Sequence, residues 1–250
     1  MQLYKLILIF MRITAFIVIC PGFSFKGLPN ILKVFLSISL SVMIYFIIPD
    51  IEAINSMLIL TILVIREVLF GLALGYVSNL IFSSIEMAGQ LIDFQAGFSM
   101  ASVFDPSMGS AAANYGKVYY WLAICVFFLL DMHHRVIESL IRSFQYIPLT
   151  IVDFNGFTVK AMLSLFVRVF ELAVNLAAPI IIVLLITDIV LGIISKTIPQ
   201  INVFMLGMPL KAMISFFITM LILSWLMNSM GKIMGLISEY LNGFMNLFKG

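Results

Sequence analysis

From Met57 to Phe82 the chain carries two charged residues, Arg66 and Glu67, in an otherwise apolar run. That run exceeds the roughly 20 residues a helix needs to cross the hydrocarbon core of a bilayer. Comparable stretches lie near Leu6–Cys20, Ile31–Ile48, Val118–Leu130, Ala161–Leu191 and Ala212–Met227, the one from Val118 being short for a span. Lipid offers a backbone amide no partner, so repeated runs of this kind fold as helices that satisfy their own hydrogen bonds. Composition agrees: 63% of residues are hydrophobic and 10% charged, against about a quarter charged in soluble domains. The expected fold is all-α: an integral membrane protein of long, partly broken helical hairpins, forming one domain over residues 1–250. Pro21-Gly22, Pro29-Asn30 and Pro49-Asp50 punctuate the first three runs, because proline lacks an amide donor and biases its predecessor away from helix.

The first run is interrupted by Arg12 and is not followed by a small-x-small cleavage pattern, so it is expected to be a retained first membrane helix. With the N-terminus inside, Lys5, Arg135, Arg142, Lys160, Lys232 and Lys249 fall inside, and Lys26, Lys33, Lys117, Lys196 and Lys211 outside. That balance gives no orientation by the positive-inside rule, which suggests that the runs are not all simple spans. A net charge of +2 without a basic block leaves no electrostatic footprint for nucleic acid. Cys20 and Cys125 lie far apart in apolar surroundings, outside any CxxC pattern, and read as buried small hydrophobes.

Arg12, Lys33, Arg66, Glu67, Arg168, Glu171 and Asp188 lie within or beside apolar runs. Each would cost about 2.5–3.5 kcal/mol at a bilayer centre, so they must face protein or water. Lys33 and Arg12 are placed to snorkel near helix ends. Arg66 and Glu67, about 100° apart on a helix, call for separate partners. Arg168 and Glu171 are spaced to pair, in a stripe with Ser164 and Asn175 ahead of Pro179.

Asn79, Ser83, Glu86, Gln90, Asp93 and Gly97 recur at helical spacing and form one polar, acidic wall, expected to face a lumen or partner subunits. Gly71 and Gly75 make a small-xxx-small pair that lets another helix approach closely. Asp131, His133 and His134 suggest a metal site, but adjacent histidines diverge on a helix and no third ligand has motif spacing. The cluster is therefore read as polar residues at a helix end, with no metal and no cofactor. No nucleophile elbow, P-loop or dinucleotide fingerprint occurs, so no enzyme chemistry is expected. Asp105–Gly116, rich in Ser, Gly and Ala after an Asp-Pro turn, has the composition of a movable plug or an ordinary connector. After Met230, the residues Ile233, Met234, Ile237, Leu241, Phe244 and Phe248 share one face of an amphipathic helix, expected on the membrane surface or against a partner.

Four segments carry a resemblance. IDFQAGFSMASVFDPSMG (Ile92–Gly109) and ISKTIPQINVFMLGMPLK (Ile194–Lys211) resemble the two signatures of the FliR family of the flagellar type III export gate. REVLFGLALG (Arg66–Gly75) and MRITAFIVICPGFSFKGLP (Met11–Pro29) fit the same family, in order along nearly the whole chain. The signature positions are Gln95, Gly97, Pro199, Gln200, Asn202, Phe204, Gly207 and Pro209.

The resemblance implies an inner-membrane, multi-pass subunit of the flagellar basal body that joins FliP-like and FliQ-like subunits and a FlhB-like one. It implies passage of unfolded flagellar proteins as cargo, a FliP-like portion to about residue 190, and a FliQ-like portion from about 191 to 250. The family's plug maps onto Asp105, Pro106, Ser107, Met108, Gly109, Ser110, Ala111, Ala112 and Ala113, within the stretch to Gly116. His133-His134 stands where many flagellar members have Gly-His, Asp188 where they have Asn, and Lys196 where they have Arg. Asp188 and Lys211 are shared with virulence-secretion homologues, whereas Phe98, His134 and the overall spacing favour the flagellar branch. An ion-coupled secondary transporter using Arg168, Glu171 and Asp188 is a rival reading, and lacks the inverted repeats it would need. An intramembrane metalloenzyme at Asp131–His134 is another.

Overall fold

A computed structural model of the chain describes residues 3–25, 27–51, 56–98, 114–149, 159–198 and 203–246, with the side chains of 159–162 and 203–206 outside the description. The described residues are helical: α1 (Leu3–Ile19), α2 (Pro21–Ser24), α3 (Asn30–Ile47), α4 (Met57–Ala96), α5 (Asn114–Leu129), α6 (Met132–Tyr146), α7 (Val159–Thr197), α8 (Val203–Leu221) and α9 (Leu223–Asn246). Proline acts as its chemistry dictates. Pro21 opens α2, Pro29 caps α3, and Pro49 follows the end of α3. Pro179 and Pro209 are tolerated inside α7 and α8.

α3, α4 and α7 are long and apolar enough to cross a membrane, and α8 with α9 would be a fourth span bent by 71° at a short break. Their outward faces are apolar: Phe35 and Phe46 on α3, Met57 and Ile65 on α4, Phe170 and Ile189 on α7 are all exposed. α1, with 17 residues, contributes to a core, with Leu8, Ile9, Ile13 and Phe16 buried.

The chain forms two compact units. One comprises Met1–Ile81, Phe127–Ser164 and Met234–Gly250, the other Phe82–Val126 and Leu165–Ile233. In the first, α1 packs along α3, whose buried residues are Ser37, Ser41 and Ile44. The two serines bond back to Lys33 O (2.7 Å) and Ser37 O (2.6 Å), so their hydroxyls need no other partner in the contact. α4 meets α1 at Gly71 and Gly75, where an added Cβ would lie 2.3 Å from Arg12 O and 3.0 Å from Phe16 O. The small-xxx-small pair thus seats α1. The amphipathic tail departs from expectation. Met234, Ile237, Leu241 and Phe244 are buried within this same unit, with the Phe244 ring 6.1 Å from Phe70. Asn242 thus belongs to a helix that covers its own chain. Phe248 lies outside the described residues.

Arg12 is a second correction. It does not snorkel but is fully buried, and its guanidinium donates to both Glu67 oxygens (2.5 and 3.1 Å), to Ser143 O (3.1 Å) and to Ile147 O (3.1 Å). The ring of Phe144 lies 4.2 Å from it and that of Phe70 5.0 Å. Arg12 thereby joins α1, α4 and the C-terminal end of α6, where the helix dipole favours a cation. Lys5, also buried, reaches Ile48 O (2.7 Å) and Asp50 (3.0 Å). Lys33 bonds to Ser24 Oγ at 3.3 Å. Cys20 is buried as expected, and Cys125 is exposed, contrary to expectation.

Candidate functional site

The second unit is built around the C-terminal end of α4. The helix stops because Gly97 takes a left-handed backbone (φ 90°), a conformation open to glycine without a Cβ penalty. Phe98 N donates to Asp93 O (3.0 Å) and Gly97 N to Phe94 O (3.2 Å). These are the two bonds of a Schellman cap. Gly97, expected as the last member of a continuing helical wall, is thus the residue that ends it, and a Cβ added there would lie 3.5 Å from Met208 Cγ.

Asp93 lies one turn earlier and is buried. Its carboxylate accepts from Tyr115 N and Gly116 N, both at 3.0 Å. These amides open α5 and have no acceptor within their own helix. Asp93 supplies the acceptor from another helix, and its charge suits the positive end of α5. Gly89, a turn further back, makes room for this approach, since a Cβ there would sit 2.5 Å from Tyr115 O. The last two turns of α4 therefore hold the start of α5. Asp93→Ala is expected to leave two shielded donors unmet and destabilise the unit by about 1–3 kcal/mol. Asp93→Asn, which keeps one acceptor oxygen, should be milder. Faster amide exchange at Tyr115 and Gly116 would register this, and unchanged exchange in the Ala variant would remove the role.

A charged network lies beside the cap. Lys211 Nζ donates to Asp188 Oδ1 (2.7 Å) and to Gln95 O (3.0 Å), while Gln95 Nε2 donates to Asp188 Oδ2 (2.9 Å). The Lys211 ammonium meets a last-turn carbonyl of α4, where a cation is favoured. Phe98, Tyr115 and Phe216 cluster with ring centroids 5.3–6.3 Å apart, and Tyr115 Oη donates to Ser215 Oγ at 3.0 Å. The structure thus joins residues that the sequence presented as two separate signatures. Gln95 and Gly97 come from the first; Lys211 and Met208, from the second, meet them. A Cβ added at Gly207 would lie 3.3 Å from Leu191 Cδ1, and Pro209 is exposed. Every polar contact in this cluster holds backbone or orients another side chain.

The other expected positions are more dispersed. Asn79, Ser83 and Glu86 are half-buried and Gln90 is exposed, its amide 3.5 Å from Glu86. Glu67 partners Arg12, and the adjacent Arg66 is half-buried. Arg168 and Glu171 do pair, at 2.6 Å, but are about half exposed in the chain rather than buried. Asp105–Ala113, Pro199, Gln200 and Asn202 lie outside the described residues, as does the side chain of Phe204. Two contacts had gone unread: Arg12 with Glu67, and Asp93 with the amides of α5. The second leaves no trace in side-chain spacing, because its donors are backbone.

Residues 3–237 match the family model described as Bacterial export proteins, family 1. The chain belongs to this family. Among members of the export family, Flagellar biosynthetic protein FliR of Bacillus subtilis (strain 168) is 31% identical over 228 residues, covering 87% of this chain and 85% of its own length. Flagellar biosynthetic protein FliR of Aquifex aeolicus (strain VF5) is 28% identical, covering 88% and 85%. The Yop proteins translocation protein T of Yersinia pestis is 28% identical over a smaller share, 72% and 70%. The match includes α4 and both signatures, so the cluster at the end of α4 lies inside the family's shared region.

Proposed function

We propose that this chain is a subunit of the flagellar type III protein export gate, helping to form and close the channel through which unfolded flagellar proteins leave the cell. The observation that carries the reading is the near full-length match to the export family and to a flagellar relative at 31% identity. The virulence branch is the second reading, favoured by the Yersinia relative and by the Lys211–Asp188 pair; the longer flagellar matches outweigh it. The chain sits as a multi-pass subunit in the bacterial inner membrane, at the flagellar basal body. Three or four apolar helices support that placement.

Its partners in this reading are FliP-like and FliQ-like subunits and a FlhB-like one. Arg168 and Glu171 support burial against protein, because a half-exposed ion pair on an apolar spanning helix is costly in lipid. Asp105–Ala113 serves as the plug. Its small side chains provide little anchoring area, as a closure that must open requires, while Gly97 and Asp93 fix the chain on either side of it. One preparation tests both parts. The tagged chain, drawn from its native membrane in detergent, should bring FliP-like and FliQ-like subunits with it; recovery as a stable solitary subunit would sink the gate reading. Deleting Ser107–Ala113 should leave assembly intact and raise ion conductance per complex. Intact assembly with unchanged conductance would remove the plug alone.

A further inference from the structure

The turn between α5 and α6 gathers three side chains that could hold a metal ion. Asp131 adopts a left-handed backbone (φ 53°), a conformation Asp and Asn reach more readily than other L-residues. Asp131 lies in the short break between α5, which ends at Leu129, and α6, which begins at Met132 and carries His133 and His134 in its first turn. Histidines adjacent on a helix were expected to diverge. Here their ring centroids are 4.1 Å apart, with a 38° tilt. His134 Nδ1 is 3.8 Å from Asp131 Oδ1, and one ligand atom from each of the three residues falls within 4.8 Å of the others. His133 leans on Phe128 at 5.4 Å, and its Nδ1 is shielded from solvent without a hydrogen-bond partner among the described residues.

We propose that Asp131, His133 and His134 bind a divalent first-row transition ion of the zinc class. Two imidazoles and one carboxylate are the donors such an ion takes, with the remaining positions left to water. Oxygen-seeking Mg²⁺ and Ca²⁺ have no comparable use for two imidazoles. Asp131 and His134 are largely exposed, so the ion can enter from solvent. The positive end of α6 opposes a cation, and the Asp131 carboxylate counters it at close range. Little rearrangement is needed, since four consecutive residues already bring the three ligand groups together. A bound ion would tie the α5–α6 turn to the first turn of α6.

The test titrates the full chain, purified in detergent with whatever subunits accompany it, with Co²⁺ as spectroscopic probe and Zn²⁺ as competitor. The expected result is one equivalent of Co²⁺ with ligand-field bands of a nitrogen–oxygen site, displaced by Zn²⁺. His134→Ala should lower affinity by at least the roughly 10- to 100-fold that loss of an outer-shell partner costs. Asp131→Asn keeps a residue suited to the left-handed backbone and should also weaken binding, so it guards against misfolding of the first variant. Absence of stoichiometric binding overturns the site. So does parental affinity in both variants, which would place the ion elsewhere, for example on exposed Cys125.

Discussion

Arg12→Ala should abolish accumulation of the folded protein in the membrane. The guanidinium is fully enclosed, so its removal strands the Glu67 carboxylate, itself 1% exposed, and leaves Ser143 O and Ile147 O without this donor. Breaking one side of a buried pair costs about 3–5 kcal/mol, a large part of the roughly 5–15 kcal/mol that holds a typical domain folded. Glu67→Ala should be comparably severe, because Arg12 then keeps its charge with neutral groups, two carbonyls and the Phe70 and Phe144 rings among them, in place of a carboxylate. Arg12→Met combined with Glu67→Leu should recover much of the loss, since a well-packed apolar replacement of a buried pair is often neutral. Thermal unfolding in detergent, with the folded fraction after membrane extraction, separates these cases. A double variant no better than the worse single one would show that the arginine acts chiefly through the two carbonyls.

Gly71→Ala is the second change expected to act strongly, although it adds one methyl group. Its Cβ would lie 2.3 Å from Arg12 O and 2.9 Å from Ala15 Cβ. The first obstacle is backbone, which cannot rotate away, so α1 must withdraw from α4. Overpacking of this kind costs about 1–3 kcal/mol, and withdrawal also pulls Arg12 from Glu67, so the loss should fall at the upper end. Gly192→Ala is the matched comparison. A Cβ there meets nothing within 4 Å, and replacing a helical glycine should stabilise by up to about 1 kcal/mol. Unfolding temperatures of the two variants should move in opposite directions; a parental value for Gly71→Ala would contradict the close approach.

Much of the helical layout was readable because apolar runs and prolines report local chemistry. Gly71 and Gly75 were legible as a contact, since only a neighbouring backbone gives spaced glycines in a helix such a use. Arg12 was misread because a charge near a helix end has the same local pattern whether it reaches for water or for a carboxylate 55 positions away. The tail's apolar face was visible in sequence, but a face does not identify its cover, and Phe70 proved to be part of it. At the candidate site the two signatures were recognised separately. Their meeting through Gln95, Asp188 and Lys211 depends on a fold that brings positions 116 residues apart within a hydrogen bond. The histidines were expected to diverge, yet within the first turn of α6 their ring centroids lie 4.1 Å apart, a side-chain arrangement that residue spacing does not report.

The inward seam of α3 has a consequence for anyone seeking a water-soluble form of this protein. In an ordinary amphipathic helix, solubility is improved by editing a face that is already partly polar. Here Ser37 and Ser41 turn inward while Ile31, Phe35, Met43 and Phe46 turn outward, so polarity averaged over the helix would point a designer to the wrong side. The outward positions can be recoloured with Glu and Lys without touching the α1 seam. Enlarging either serine to make the interior greasier would instead pry the two helices apart.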